Sequence, residues 1–324
     1  MFAVITDTSS NLDCRWLEEH DVAVIPFHYF LDGRDCTCTD TQGFDGAAFY
    51  EAMRAGQSVS TSQIAPQAYL DTFRPILARG EDILFVGMSS GISGSYSQAV
   101  FAAAELKEEF PDRAIRLVDT LGASLGEGLL VAEAVTGRDR HDPLDAVYER
   151  LMDMRHDMCQ VFTVEDLKYL RKTGRLSNMA AIVGTMLNIK PLLKGDTEGK
   201  IVSFAKLHGR RRAIKAMAEQ YDRMVRGADS QTIGIAHADC QADVDYLISL
   251  LQVNHPPRDI MTVMYEPVTG SHVGPGTLAL FFFGDRKFRG PADSLISSLS
   301  QMVDEGRESL RATLMANAKK KSEQ

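Results

Sequence analysis

The chain has 324 residues, 44% hydrophobic and 24% charged, an ordinary folded composition that excludes wholesale disorder and a membrane-dominated chain. Its formal net charge of −9 argues against general nucleic-acid binding, which draws on clustered Lys and Arg to neutralise phosphates. That length exceeds one ordinary small core, and two closely packed lobes are expected.

Met1-Phe2-Ala3-Val4-Ile5-Thr6-Asp7 enters an apolar strand pattern directly, with no basic segment followed by an apolar leader, so export is not expected. No stretch approaches the roughly 20 apolar residues of a transmembrane helix, and any membrane contact is expected to be transient and peripheral, at the inner face. The cysteines (Cys14, Cys36, Cys38, Cys159, Cys240) are odd in number and lack zinc spacing, which fits a cytoplasmic protein. Cys36-Thr37-Cys38 reads as part of a loop.

Strand patterns fall at Phe2–Thr6, Val22–Leu31, Ile83–Met88 and Ile115–Val118, with helical patterns at Phe44–Arg54, Ala65–Leu77, Tyr96–Glu109 and Leu121–Val135. Strand alternating with helix predicts a Rossmann-like α/β lobe over residues 1–157 with a mostly parallel sheet. A second α/β lobe over 158–285 is expected from strand patterns at Val161–Val164, Ile201–Leu207, Thr232–His237, Ile260–Tyr265 and Thr277–Phe283. The boundary follows the polar, turn-rich stretch Thr136–Pro143 and the helix after it. Residues 286–324 read as a helical extension: Leu295, Ile296, Leu299, Met302, Val303, Leu310 and Leu314 recur at three- and four-residue steps, and Lys319–Lys321 form a basic end suited to the helix dipole.

Chemistry concentrates at a few junctions. Met88-Ser-Ser-Gly-Ile-Ser-Gly-Ser-Tyr-Ser-Gln98 lies where an apolar strand gives way to a helix, which aims free N–H groups and small hydroxyls at an anion. Gly91 and Gly94 are expected to let that anion approach the backbone. Val59-Ser60-Thr61-Ser62-Gln63 sets hydroxyls and an amide ahead of a helix starting near Pro66. Ser271-His272-Val273-Gly274-Pro275-Gly276-Thr277 reads as an irregular loop between strands. Asp166–Ser177, with Arg171 and Arg175, reads as a short basic helix closed by Gly174, and Arg210, Arg211 and Arg212 start a helix where positive charge opposes the dipole.

Taken in order, these segments resemble the DegV family of bacterial proteins, whose better understood members are the fatty-acid-binding subunits of fatty acid kinase. The resemblance runs over roughly residues 3–284. Its marks are Ile5-Thr6-Asp7-Thr8-Ser9-Ser10, Ser60–Gln63, Ser89–Tyr96, Val118-Asp119-Thr120, Asp166–Ser177, Asn188-Ile189-Lys190-Pro191-Leu192-Leu193 and His272–Thr277. It implies two α/β lobes with a long-chain fatty acid enclosed in a tunnel between them. The carboxylate would be held by Thr61 and Ser93, completed by His272 and Arg175, with Ser62 and Gly94 beside them. Arg210, Arg211 and Arg212 would meet a separate kinase subunit, although His208 stands where the family commonly has a basic residue.

That family role makes the chain a lipid-binding subunit without a catalytic residue, metal or cofactor of its own, whose bound acid becomes an acyl phosphate feeding phospholipid synthesis. The chain has no Walker-type loop, so ATP and magnesium belong on the partner. Burying about 16 methylenes at about 0.8 kcal/mol each supplies on the order of 12 kcal/mol before ordering costs, so apolar walls, among them the apolar residues of 179–187, must supply the affinity. Asp35–Phe44 and the roughly 40 residues past the usual family end depart from the pattern. Two other readings stay open. Gly91-Ile92-Ser93-Gly94-Ser95 is close to a nucleophile elbow, which would make Ser93 and His272 a hydrolase or acyltransferase pair, and the same donors would also serve a regulatory module for another small anion.

Overall fold

The computed structural model describes residues 2–177 and 188–291. The segment 179–187 and the extension over 295–321, for which walls and an amphipathic helix are expected, lie outside the described residues.

The first half runs β1 (Phe2–Asp7), α1 (Cys14–Glu19), β2 (Val22–Ile25), β3 (His28–Leu31), β4 (Arg34–Cys36), α2 (Gly46–Arg54), β5 (Val59–Ser62) and α3 (Pro66–Ala78). It continues through β6 (Asp82–Gly87), α4 (Ser95–Glu109), β7 (Ile115–Asp119), α5 (Leu125–Asp139) and α6 (Leu144–Met154). The second half runs β8 (Met158–Thr163), α7 (Lys168–Thr173), β9 (Ile189–Gly195), β10 (Ile201–His208), α8 (Arg210–Met224) and β11 (Thr232–His237). It closes with α9 (Gln241–Leu251), β12 (Asp259–Met264), α10 (Pro267–Val273) and β13 (Leu278–Phe283).

A wholly parallel sheet in the order β2-β1-β6-β7 forms the α/β layer expected from the alternation of strands and helices. Val4, Ile5, Leu84 and Phe85 are fully buried, as strands covered on both faces require. A second, six-stranded sheet in the order β10-β9-β8-β13-β11-β12 is antiparallel except at β11 and β12. Residues up to 289 group as one compact unit.

Three expectations are corrected. Val22–Leu31 is two strands, because Pro26 lacks a ladder donor and the N–H of Phe27 goes to Thr8 Oγ1 at 3.0 Å. β3 then leaves the parallel sheet and joins a three-stranded antiparallel sheet, β4-β3-β5. The helix expected from Leu121 starts only at Leu125, since Leu121 and Ser124 adopt φ of 53° and 54°. The 271–277 stretch is not wholly irregular: Pro267–Val273 is a helix, with Glu266 accepting the N–H groups of Val268 (2.5 Å) and Thr269 (2.6 Å) and Pro267 in the first turn. Gly274, at φ 85°, ends it in a conformation that a Cβ would strain.

A buried carboxyl cluster ties the C-terminal end of β1 to its neighbours. Asp7 accepts the N–H groups of Ser9 (2.9 Å) and Met88 (3.2 Å), and Glu127 accepts from Thr6 Oγ1 (3.0 Å) and Ser9 Oγ (2.5 Å). Burial is the foremost cause pushing both carboxyls above their usual range, and the charge of Asp7 pushes Glu127 further up. Glu266, 2% exposed, is pushed up to about 7, again first by burial.

Candidate functional site

β5 alternates in exposure, with Val59 and Thr61 turned inward relative to Ser60 and Ser62. That alternation aims Thr61 at α10, where its Oγ1 lies 2.8 Å from His272 Nε2. His272 sits in the last turn of α10, and its Nδ1 has no hydrogen-bond partner among the described residues. Burial first, and then the charge of Arg175, pull His272 down to about 4. At neutral pH the imidazole is therefore uncharged, with one ring nitrogen donating and the other accepting.

The strand-to-helix junction after β6 supplies the opposite side. Ser89 is buried, donating from Oγ to Gly199 O and accepting the Gly91 N–H, both at 3.0 Å. Ser90 Oγ donates to Asp119 Oδ2 at 2.5 Å. Ser93 Oγ accepts the Ser95 N–H at 3.2 Å and lies 3.0 Å from Ser95 Oγ, which takes the N–H of Ile64 at 3.0 Å. α4 follows Gly94, which offers no side-chain cap, so the positive end of the helix dipole sits beside Ser93, whose Oγ already takes the first helical N–H. The glycines here are also close-packed against the protein itself. A Cβ on Gly91 would stand 2.5 Å from Glu198 O, and one on Gly94 would collide with the Gln63 amide, so both admit protein neighbours.

Thr61, Ser62, Ser93, Gly94, Arg175 and His272 all line one cavity of about 220 Å³. Its other walls are largely apolar, including Phe27, Ile92, Phe162, Ile201, Val273 and Phe281. Arg175 is exposed and donates to the carbonyl of Thr173. The arrangement offers hydroxyls, a neutral imidazole, a helix N-terminus and a guanidinium to an anion whose apolar remainder lies against hydrocarbon. Ser93 and His272 are not hydrogen-bonded to each other: His272 is engaged by Thr61, and Ser93 by Ser95.

Arg210 lies apart from these residues, held by Asp243 at 2.9 Å and Gly276 O at 2.6 Å. Arg211 stacks over Tyr246, 4.3 Å from the ring centroid, while Arg212 is exposed. All the cysteines are free thiols. No group of three or more metal-ligating side chains gathers among the described residues, and none of their helices is long and apolar enough to cross a membrane.

Sequence reasoning missed Gln160 on β8 and the Leu121–Ser124 turn, both of which line the cavity. The turn is held by Ser124 Oγ donating to Asn11 Oδ1 at 3.0 Å and by the Leu121 N–H donating to Asp119 Oδ1 at 3.1 Å. Only the neighbouring Val118-Asp119-Thr120 signalled it, as a motif without a role.

A family model described as "Uncharacterised protein, DegV family" matches residues 1–285. A DegV domain-containing protein of Clostridium perfringens is 33% identical over 286 residues, covering 88% of this chain and 98% of the relative. Among solved structures, a fatty-acid-binding DegV family protein of Streptococcus agalactiae has 29% identity and a TM-score of 0.77, over 88% of this chain and 99% of its own. A DegV family protein of Thermus thermophilus, described for its fatty acid binding, has 26% identity and a TM-score of 0.79 over the same shares.

Proposed function

Because the chain belongs to the DegV family, we propose that it binds a long-chain fatty acid with its carboxylate at Thr61, Ser93, His272 and Arg175 and its acyl chain against the apolar walls. One observation carries this reading: four polar side chains from β5, the start of α4, the segment after α7 and α10 meet on a single cavity whose remaining lining is mainly apolar. An anion at that position receives hydrogen bonds from the Ser93 hydroxyl and from the Thr61–His272 pair, which has one proton to give outward, and it lies within the field of Arg175 and the α4 N-terminus. Ser62 and Gly94 complete the rim. The fatty-acid-binding relatives of the same fold support the ligand class.

The finer part of the proposal is that the protein is the substrate-carrying subunit for a separate ATP-dependent kinase, which converts the bound acid to an acyl phosphate for phospholipid synthesis. In this reading residues 1–157 and 158–285 act as two lobes enclosing a tunnel. Arg212 and Arg211 are the accessible members of the kinase contact, with Arg210 anchoring the start of α8. Lipid extraction and mass spectrometry of the protein purified from a bacterial host test the ligand. Well-folded preparations that carry no fatty acid, and that take up none when it is supplied, would remove the reading. Reconstitution with a fatty acid kinase and ATP then tests the partner by acyl-phosphate formation, with loss on R212A.

A further inference from the structure

The cavity has a second polar feature, away from Thr61, Ser93 and His272. β8 is paired with β13 so that Thr163 faces Leu278, just after α10, whereas Gln160 faces Phe281 three residues further on. At a strand rise of about 3.3 Å per residue, that sets Gln160 roughly 10 Å along the strand from the α10 end. Gln160 and Phe162 share the face that lines the cavity.

Gln160 is 7% exposed, and its one side-chain hydrogen bond to the described residues runs from Nε2 to Leu121 O at 3.1 Å. The carbonyl oxygen of the amide and its second N–H are left open. The position of the amide is built in. A Cβ would stand 2.9 Å from Nε2 at Gly122, 2.7 Å from Oε1 at Gly126 and 3.2 Å from Nε2 at Gly195, so three glycines make its room. Beneath it, Arg289 is 1% exposed and gives its Nη2 to the same Leu121 carbonyl at 2.6 Å, with Nε on Asp196 O (3.1 Å) and Nη1 on Met158 O (2.8 Å). It has no carboxylate partner among the described residues. Amide groups left facing hydrocarbon lose hydrogen bonds that water would give them, and a positive charge behind the floor favours oxygen over a methylene. A plain acyl chain extending over Gln160 meets both penalties.

We propose that the preferred ligand is an oxygenated long-chain fatty acid, whose hydroxyl or keto oxygen partway along the chain hydrogen-bonds to Gln160. This rests on the fatty-acid reading above and specifies its substrate class. Gln160 is then a specificity-determining residue: the carboxylate group sets the end of the ligand, and the amide sets the place of the oxygen along it.

The test titrates delipidated full-length protein with octadecanoic acid and with a set of hydroxyoctadecanoic acids differing in hydroxyl position, using wild type, Gln160→Met and Gln160→Leu. The expected result is that at least one hydroxy isomer binds wild type about fivefold or more tightly than octadecanoic acid, the worth of one net hydrogen bond. In both variants that preference disappears, and octadecanoic acid binds more tightly than it does to wild type. Wild type that binds octadecanoic acid as well as every isomer overturns the proposal and leaves fatty-acid binding standing. A preference that survives in the variants also overturns it. Failure of every acid to bind overturns both readings. The wild-type ratio alone decides the matter if the variants do not fold.

Discussion

Two polar clusters lie close to the same strand ends, and they differ in how completely their hydrogen bonds are used. Around Asp7 and Glu127 both carboxyls are buried and partnered, Asp7 by the backbone N–H groups of Ser9 and Met88 and Glu127 by the hydroxyls of Thr6 and Ser9. Around Thr61 and His272 the protein stops short: among the described residues His272 Nδ1 has no partner, and Arg175 has only a backbone acceptor. A satisfied buried network holds a fold together, whereas donors left open beside an apolar cavity are energetically complete only with a ligand.

The contrast is open to experiment. Glu127→Ala should have the largest effect, with thermal or urea unfolding showing a loss of about 2–4 kcal/mol, because the buried Thr6 and Ser9 hydroxyls lose their partner. Glu127→Gln should lose much less, about 1 kcal/mol, since burial already favours the uncharged form. Equal losses would mean that Glu127 acts through its charge, and the description of a buried, uncharged carboxyl would fail.

A second prediction concerns pH. His272 falls from 6.5 to about 4, so its contribution to stability is complete above pH 6.5 and is lost as pH falls through 4. His272→Asn should flatten the ligand-free stability curve across that window, by at most about 3 kcal/mol for a shift of this size. A bound carboxylate beside the ring opposes the depression. Fatty-acid binding near pH 5.5 should therefore take up protons in wild type and not in the variant, as calorimetry in buffers of different ionisation enthalpy can show.

Thr61→Val tests the open cluster directly. It removes the 2.8 Å bond to His272 and a donor to the ligand, and should weaken fatty-acid binding about tenfold while costing under about 1 kcal/mol of stability. The reverse pattern, a large stability loss with affinity retained, would place Thr61 with the satisfied cluster. The smallest effect is expected for Arg175→Met, a weakening of about threefold at low ionic strength that fades with added salt, because the guanidinium is exposed.

Much of this organisation was legible from local pattern. The parallel α/β layer followed from strand–helix alternation, and the start of α3 at Pro66 and of α8 at Arg210 followed from helix-start signals. The rim residues were legible as hydroxyls at strand and helix ends, and they line one cavity. The break at Pro26 and the α10 helix were misread: a run of β-branched and aromatic residues hides a change of sheet, and Glu266 with Pro267 starts a helix in a segment that Gly270, Gly274, Pro275 and Gly276 make look irregular.

By itself the sequence determined which elements alternate, where hydroxyls and basic residues sit at their ends, and which family the chain resembles, because these depend on residues close together in the chain. Tertiary structure alone decided that His272 meets Thr61 across 211 positions. It likewise decided that Glu127 takes the hydroxyls of Thr6 and Ser9 beside Asp7, and that Gln160 turns an open amide into the cavity above Arg289. Burial sets the protonation and the unmet hydrogen bonds of these groups, and burial is a property of the folded neighbourhood that no local pattern carries.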